Sequence, residues 1–157
     1  MDDKARALDR AMRMLAARAR SEQEIVDRLA KAGYDERVIA ETMAKLADYH
    51  FTDDEAFAAG WAASRARKGL GPYRIARELR EKGIDRETAE AVMEDFDEDA
   101  ALESATALAL KHLRKGDDRA KRRAHDALLR RGFSYDMVRK ALGEAASQLE
   151  IEDEDWD

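Results

Sequence analysis

The stretches LAKAGYD (residues 29–35), LREKGID (79–85) and LLRRGFS (128–134) share one pattern: leucine, three residues, glycine, a large apolar residue, then Asp or Ser. Each position has a structural meaning. Glycine adopts the left-handed conformation that ends a helix, the apolar residue after it folds back on the last turn, and Asp or Ser caps the next helix. Each stretch therefore predicts a helix-to-helix corner. Gly33, Gly83 and Gly132 lie 50 and 49 residues apart, so the corner belongs to an internal repeat.

On the helix entering each corner, Ile25 with Leu29, Ile75 with Leu79, and Ala124 with Leu128 form one apolar stripe. On the helix leaving it, Val38, Ile39, Met43 and Leu46 form a second, echoed by Val92, Met93 and Phe96 and by Met137, Val138, Ala141 and Leu142. Both sides of the corner face a core. A further helix precedes each pair, near residues 4–19 with Leu8, Met12 and Leu15, 53–67 with Phe57 and Trp61, and 98–114 with Leu102, Ala105, Leu108 and His112. Ser21 with Glu24 and Thr52 with Glu55 have capping-box spacing, and the only proline, Pro72, falls where a first helical turn tolerates it. No alternation of β-branched and aromatic residues marks a strand.

The expected fold is all-α, with three tandem three-helix repeats over 1–50, 51–96 and 97–149 and an acidic, disordered tail over 150–157. A unit of about fifty residues this rich in alanine buries little apolar area alone. Neighbouring repeats are expected to stack into an elongated, curved array with a long face for an extended partner.

Alanine accounts for 31 of the 157 residues, and Leu, Ile, Val and Phe together for only 27. Disorder is opposed by the low net charge of −6 and by the helical spacing of the large residues. Without cysteine there is no disulfide framework, thiolate metal site or thiol nucleophile, which fits a reducing compartment. Met1-Asp2-Asp3-Lys4 lacks the apolar core of a signal peptide, and no run approaches the roughly 18 apolar residues of a membrane span. A cytoplasmic monomer without membrane contact is expected.

The pI of about 5.2 conceals an uneven distribution. Residues 150–157 carry six acids and no base, so residues 1–149 are neutral in sum. Within that body, residues 65–82 hold seven basic and two acidic side chains, and 111–131 nine and three. Arg65, Arg67, Lys68, Arg74, Arg77 and Lys82, with Lys121, Arg122, Arg123, Arg130 and Arg131, are the candidate contacts for a partner or nucleic acid. Arg74 and Arg123 occupy equivalent repeat positions, which would align charge along one side.

Catalysis finds little support. His50, His112 and His125 lack the close spacing of metal ligands on one helix. Asp53-Asp54 is what a helix dipole favours in a first turn, and no serine has a nearby histidine or a glycine elbow. Gly69-Leu70-Gly71-Pro72 lacks the Gly-Lys-Ser/Thr ending of a phosphate loop. Phe57 and Trp61, four apart on one face, read as core. No enzyme, metal or cofactor is expected.

Residues 51–84, FTDDEAFAAGWAASRARKGLGPYRIARELREKGI, resemble the signature of the RecX family of RecA regulators. The shared elements are Asp53-Asp54, Phe57-Ala58, Trp61, Arg65, Gly69, Gly71-Pro72, Arg74-Ile75, Glu78-Leu79 and Lys82-Gly83-Ile84. The likeness continues at Arg20-Ser21, Ile25 and Leu29 and at Arg130-Arg131-Gly132-Phe133-Ser134, covering about residues 6–147. It implies three-helix repeats, a bacterial cytoplasm, and binding in the groove of the RecA–DNA filament, with inhibition of strand exchange and of RecA's ATP hydrolysis. It also implies single- or double-stranded DNA as a further partner to varying degree, and names no catalytic residue. The acidic tail has no counterpart in that pattern and reads either as a solubilising end or as an internal mimic of DNA. The alternative function is a helical regulator acting directly on DNA, because a helix-corner-helix unit also describes a helix-turn-helix module.

Overall fold

The structure, a computed structural model, describes residues 2–154. Nine helices follow in chain order among those residues: α1 (Asp3–Ala17), α2 (Glu22–Lys31), α3 (Glu36–Asp48), α4 (Asp54–Arg67), α5 (Pro72–Glu81), α6 (Arg86–Glu94), α7 (Glu98–Leu113), α8 (Ala120–Arg130) and α9 (Tyr135–Glu154). No strand occurs among them. They form three successive sets of three.

The three corners close in the same way. Gly33, Gly83 and Gly132 have φ of 97°, 77° and 96°, the left-handed region that glycine enters without a Cβ penalty. The amide after each glycine donates back to the leucine carbonyl five residues earlier: Tyr34 to Leu29 at 3.2 Å, Ile84 to Leu79 at 3.0 Å and Phe133 to Leu128 at 3.2 Å. The glycine amides donate to Ala30, Arg80 and Leu129, completing a Schellman motif at each corner. Asp35, Asp85 and Ser134 then accept from Val38, Thr88 and Met137 and cap the outgoing helices. His50, with φ of 58°, makes the same turn without a glycine, Phe51 donating to Leu46 at 2.9 Å.

The start signals are met once and corrected once. Ser21 and Glu24 form a reciprocal capping box on α2. The expected box at Thr52 and Glu55 does not form: Asp53 accepts the amide of Ala56 at 3.0 Å, while the Thr52 hydroxyl donates to Glu22 Oε1 at 3.2 Å. A carboxylate at a helix N-terminus is the stronger acceptor, so the cap moves one residue along. Pro72 is the first residue of α5, as its missing N–H requires.

Compactness groups the residues into two units, one of residues 1–61 and 78–92, the other of 62–77 and 93–157. The division falls within α4, within α5 and near the end of α6, so the middle repeat contributes to both units. In the first unit, Ala7, Ala11, Ile25, Leu29, Ile39 and Leu46 make a core against which Leu15, Val26, Tyr34 and Met43 pack. Ile25, Leu29 and Leu46 are fully buried, each contributing roughly 1.5–3 kcal/mol by leaving water.

The second unit's core is narrower in side-chain size. Ala101, Ala105, Ala109, Ala124, Ala141 and Ala145 let α7, α8 and α9 approach closely, while Leu110, Leu128, Phe133 and Val138 fill the remaining space. The tail departs from expectation. Helix α9 runs through Glu154, and Arg114, the C-cap of α7, holds Glu152 at 2.6 Å. Residues 150–154 are therefore helical: the amphipathic pattern of α9 continues through Leu149, and Arg114 receives Glu152. Residues 155–157 of the expected tail lie outside the described residues.

Candidate functional site

The same docking occurs once in each unit, and it differs in charge. In the first unit the corner at Gly83 meets the start of α2. Ser21 Oγ donates to the Lys82 carbonyl at 2.7 Å, and a Cβ at Gly83 would stand 2.4 Å from Gln23 Cβ. In the second unit the corner at Gly132 meets the start of α5. The amides of Gly71 and Tyr73 donate to the carbonyls of Arg131 at 2.7 Å and Gly132 at 3.0 Å, and a Cβ at Gly132 would stand 2.4 Å from Arg74 Cβ.

By the fifty-residue register, Arg74 stands where Glu24 stands, and Arg131 stands where Lys82 stands. Glu24 neutralises the first junction. It receives Arg18 at 2.8 Å, Lys82 at 3.6 Å and Arg20 at 3.9 Å. Burial would raise its pKa, but the hydrogen bond from Arg18, the Ser21 amide and the charges of Lys82 and Arg18 together hold it below the usual carboxylate range. Lys82 also lies 4.8 Å from the centre of the Trp61 ring, which stacks on Phe57 at 5.9 Å.

The second junction has arginine in the place of that carboxylate. Arg74 is half-buried, and its Nε is shut off from solvent with no hydrogen-bond partner among the described residues. Arg131 turns its guanidinium to the Lys68 carbonyl at 3.1 Å and also approaches the Gly69 position. Arg131 is thus tied to the backbone of the glycine-proline loop at the exposed Lys68, and Arg74 stands at the start of α5 against the Gly132 corner. Desolvated positive charge of this kind is stabilised by an anion, and two guanidinium groups offer the planar donor pairs that phosphate and carboxylate accept.

The other candidates distribute unevenly. Arg65, Arg67, Arg77, Lys121, Arg122, Arg123 and Arg130 belong to the same unit as the cationic junction. Lys121 and Arg122 lie on the α8 turn that follows Arg119, and Arg123 is held by Asp117 at 2.7 Å. Lys82 belongs to the other unit, where Glu24 and Trp61 engage it. The charge count of 65–82 could not separate Lys82 from its neighbours. The signal that does separate it is the exchange of Glu24 for Arg74 in the repeat register.

Residues outside the charge runs also matter. Lys121 lines a cavity of about 500 Å³ together with His125, Tyr135 and Arg139, of which Tyr135 and Arg139 did not stand out in the sequence. His112, expected on an apolar helix face, is half-buried on α7 with its Nδ1 unpartnered among the described residues. Burial pushes its pKa down, and Lys115, Arg123, Lys111 and Arg130 push it further. Among the described residues no group of three or more His, Asp or Glu side chains could hold a metal ion, and no helix is long and apolar enough to cross a membrane.

Known proteins share the three-helix architecture. Residues 7–46, 53–93 and 97–142 match the family profiles described as the first, second and third three-helix domains of RecX. Regulatory protein RecX of Listeria monocytogenes serotype 4a is 34% identical over 154 residues, which cover 95% of this chain and 57% of that protein. The chain thus spans little more than half the length of such relatives. Regulatory protein RecX of Mycobacterium sp. strain KMS is 38% identical over 136 residues, 81% of this chain and 74% of that protein. The crystal structure of RecX from Lactobacillus salivarius superposes with a TM-score of 0.81 at 26% identity, covering 92% of this chain and 97% of that one. With all three domains matched in order and the fold shared, the chain belongs to the RecX family.

Proposed function

We propose that this chain is a non-enzymatic, cytoplasmic regulator that binds the RecA–DNA filament and inhibits or modulates its recombinase and ATPase activities. The observation that carries the reading is the junction that holds Arg74 and Arg131, beside the loop that bears the exposed Lys68, with arginine at the position where the first unit has a neutralising glutamate. Its backbone is fixed by two amide hydrogen bonds across some sixty residues, so the cations are presented from a rigid support. A filament of DNA and protein is a repeating polyanion. Contacts with successive protomers or phosphates add through effective concentration, so the assembled filament is bound better than its free parts. Bound regulator then shifts filament dynamics by linkage, favouring whichever filament state it grips.

The test is filament-dependent ATP hydrolysis by RecA with substoichiometric amounts of this protein. Suppression is expected for the natural sequence. Arg74→Glu with Lys68→Glu should relieve it while the fold survives, because a carboxylate at position 74 would face Arg131 as Glu24 faces Lys82. For every phosphate the double variant no longer neutralises, the salt slope of binding should fall by about 0.9 on duplex DNA and about 0.7 on single strands. Full suppression by a folded double variant over a range of salt would place the contact elsewhere. Duplex binding of the same strength without recombinase, and no effect on filaments, would favour the direct DNA-binding regulator instead.

A further inference from the structure

The cavity on the second unit has a different chemistry from the cationic junction. It opens beside α8 and α9 with a volume of about 500 Å³, inside the roughly 300–1,000 Å³ typical of small-molecule sites. Leu113 and Leu142 give it an apolar wall, and Lys121 and Arg139 stand among its lining groups. Tyr135 is 75% exposed, and its ring centre lies 6.4 Å from that of His125. An aromatic ring left this open beside two cations is an available stacking surface next to a phosphate-compatible rim.

A second, independent feature is Gly143. It lies within α9, where glycine costs roughly 0.5–1 kcal/mol relative to alanine. Its φ is not left-handed, and a Cβ added there would meet nothing within 4 Å, so neither turn geometry nor packing demands it. What the missing side chain does provide is open space in the cavity lining. The ion pairs at the rim are loose ones: Asp136 holds Arg139 and Lys140, but all three side chains are more than half exposed, so an incoming phosphate can exchange with the carboxylate at little cost.

We infer that this cavity is a nucleobase-stacking subsite for single-stranded nucleic acid, in which one unpaired base lies on Tyr135 and the adjoining phosphates meet Lys121 and Arg139. Single strands are the fitting ligand because their bases are free to be splayed onto a ring, whereas duplex bases are already stacked and paired. Leu113, Leu142 and Ala146 offer no directed donor, so this part of the wall tolerates any base. This subsite is separate from the junction that holds Arg74 and Arg131 and does not depend on the recombinase.

The experiment compares two fluorescein-labelled strands of equal length and charge, oligo-dT and the same backbone without bases, by anisotropy at a fixed salt concentration. The natural protein should bind oligo-dT at least about fivefold more tightly than the abasic strand, as expected for stacking of one base. Tyr135→Ala should abolish the preference and Tyr135→Phe should keep it. Gly143→Leu, which puts a large side chain into the cavity lining, should also abolish it, with a helical melt no lower than that of the natural protein as the control. Equal binding of both strands by the natural protein, absence of binding to either, or a preference that survives Tyr135→Ala would overturn the inference. Because no recombinase is present, each of those results leaves the filament reading to be judged by its own ATPase assay.

Discussion

A carbon atom added at Gly71 would lie 2.4 Å from the carbonyl carbon of Gly132 and 2.5 Å from its oxygen, and both belong to backbone that cannot swing aside. Gly71→Ala should therefore destabilise the second unit by roughly 1–3 kcal/mol, the usual range for overpacking. Gly60 is the matched control, lying inside α4 with nothing within 4 Å of its added carbon. Gly60→Ala should raise the melting temperature by an amount corresponding to about 0.5–1 kcal/mol. A thermal melt of the two variants beside the natural protein checks both signs. Equal, small shifts would mean that the Gly71 approach is not needed for the fold.

His112 gives stability a pH dependence with a definite sign. Its folded pKa is held below the ordinary histidine value of 6.5, by burial first and then by the surrounding cations. The unfolded chain thus binds the proton more readily than the folded one. Its contribution is fully present above about pH 6.5 and is lost as pH falls below that value toward the depressed folded pKa. Melting temperature measured from about pH 7.5 to about 5.5 should fall on the acid side, and His112→Gln should flatten the curve over that window. An identical curve for the variant would assign the acid loss to other groups.

At the level of helices, α9 extends into the acidic segment and sets Glu152 against Arg114. Both side chains are about half exposed, so the pair contributes no more than about 1 kcal/mol to the fold. Its larger effect is on charge, because Arg114 belongs to the cationic stretch of 111–131. Deleting residues 150–157 should leave the helical melt nearly unchanged and tighten binding to DNA severalfold at low salt. The gain should fade as salt shortens the range of the interaction. Unchanged DNA affinity at low salt would reduce the acidic end to a solubilising role.

Over the whole molecule, repeat symmetry is kept in the backbone and broken in the charge. The two junctions share their docking geometry, yet one is an ion-pair cluster and the other is cationic. The consequence is a division of effects between two variants. Lys82→Gln, which removes the Glu24 pair and the cation over Trp61, should lower stability by roughly 1 kcal/mol and leave filament inhibition unchanged. Arg74→Glu should leave stability unchanged or raised and weaken inhibition. Melting curves and ATPase assays on the same two preparations test the division. Parallel effects in both variants would dissolve it.

The sequence by itself determined the helices, the corners and most of the caps, because these depend on interactions three to five residues long. Gly33, Gly83 and Gly132, and the Asp or Ser two residues after each, act through their own local backbone, and the repeat spacing exposed them. His50 was invisible on the same grounds, since only its neighbours hold a non-glycine residue at positive φ. The cap of α4 lies at Asp53 and not at Thr52 because a carboxylate is the stronger acceptor there, and the start of the acidic segment is helical with Glu152 beside Arg114, a neighbour that local sequence does not reveal. The candidate cations were all present in the charge runs, but their roles were not. Arg131 reaches the Lys68 carbonyl, and Arg74 the Gly132 corner, only because that corner docks on the start of α5, and Lys82 is engaged only because the Gly83 corner brings it to Glu24. Tertiary packing alone decides such meetings, since a charge acts through its distance and its burial, and residues some sixty apart in the chain acquire both only when the helices are packed.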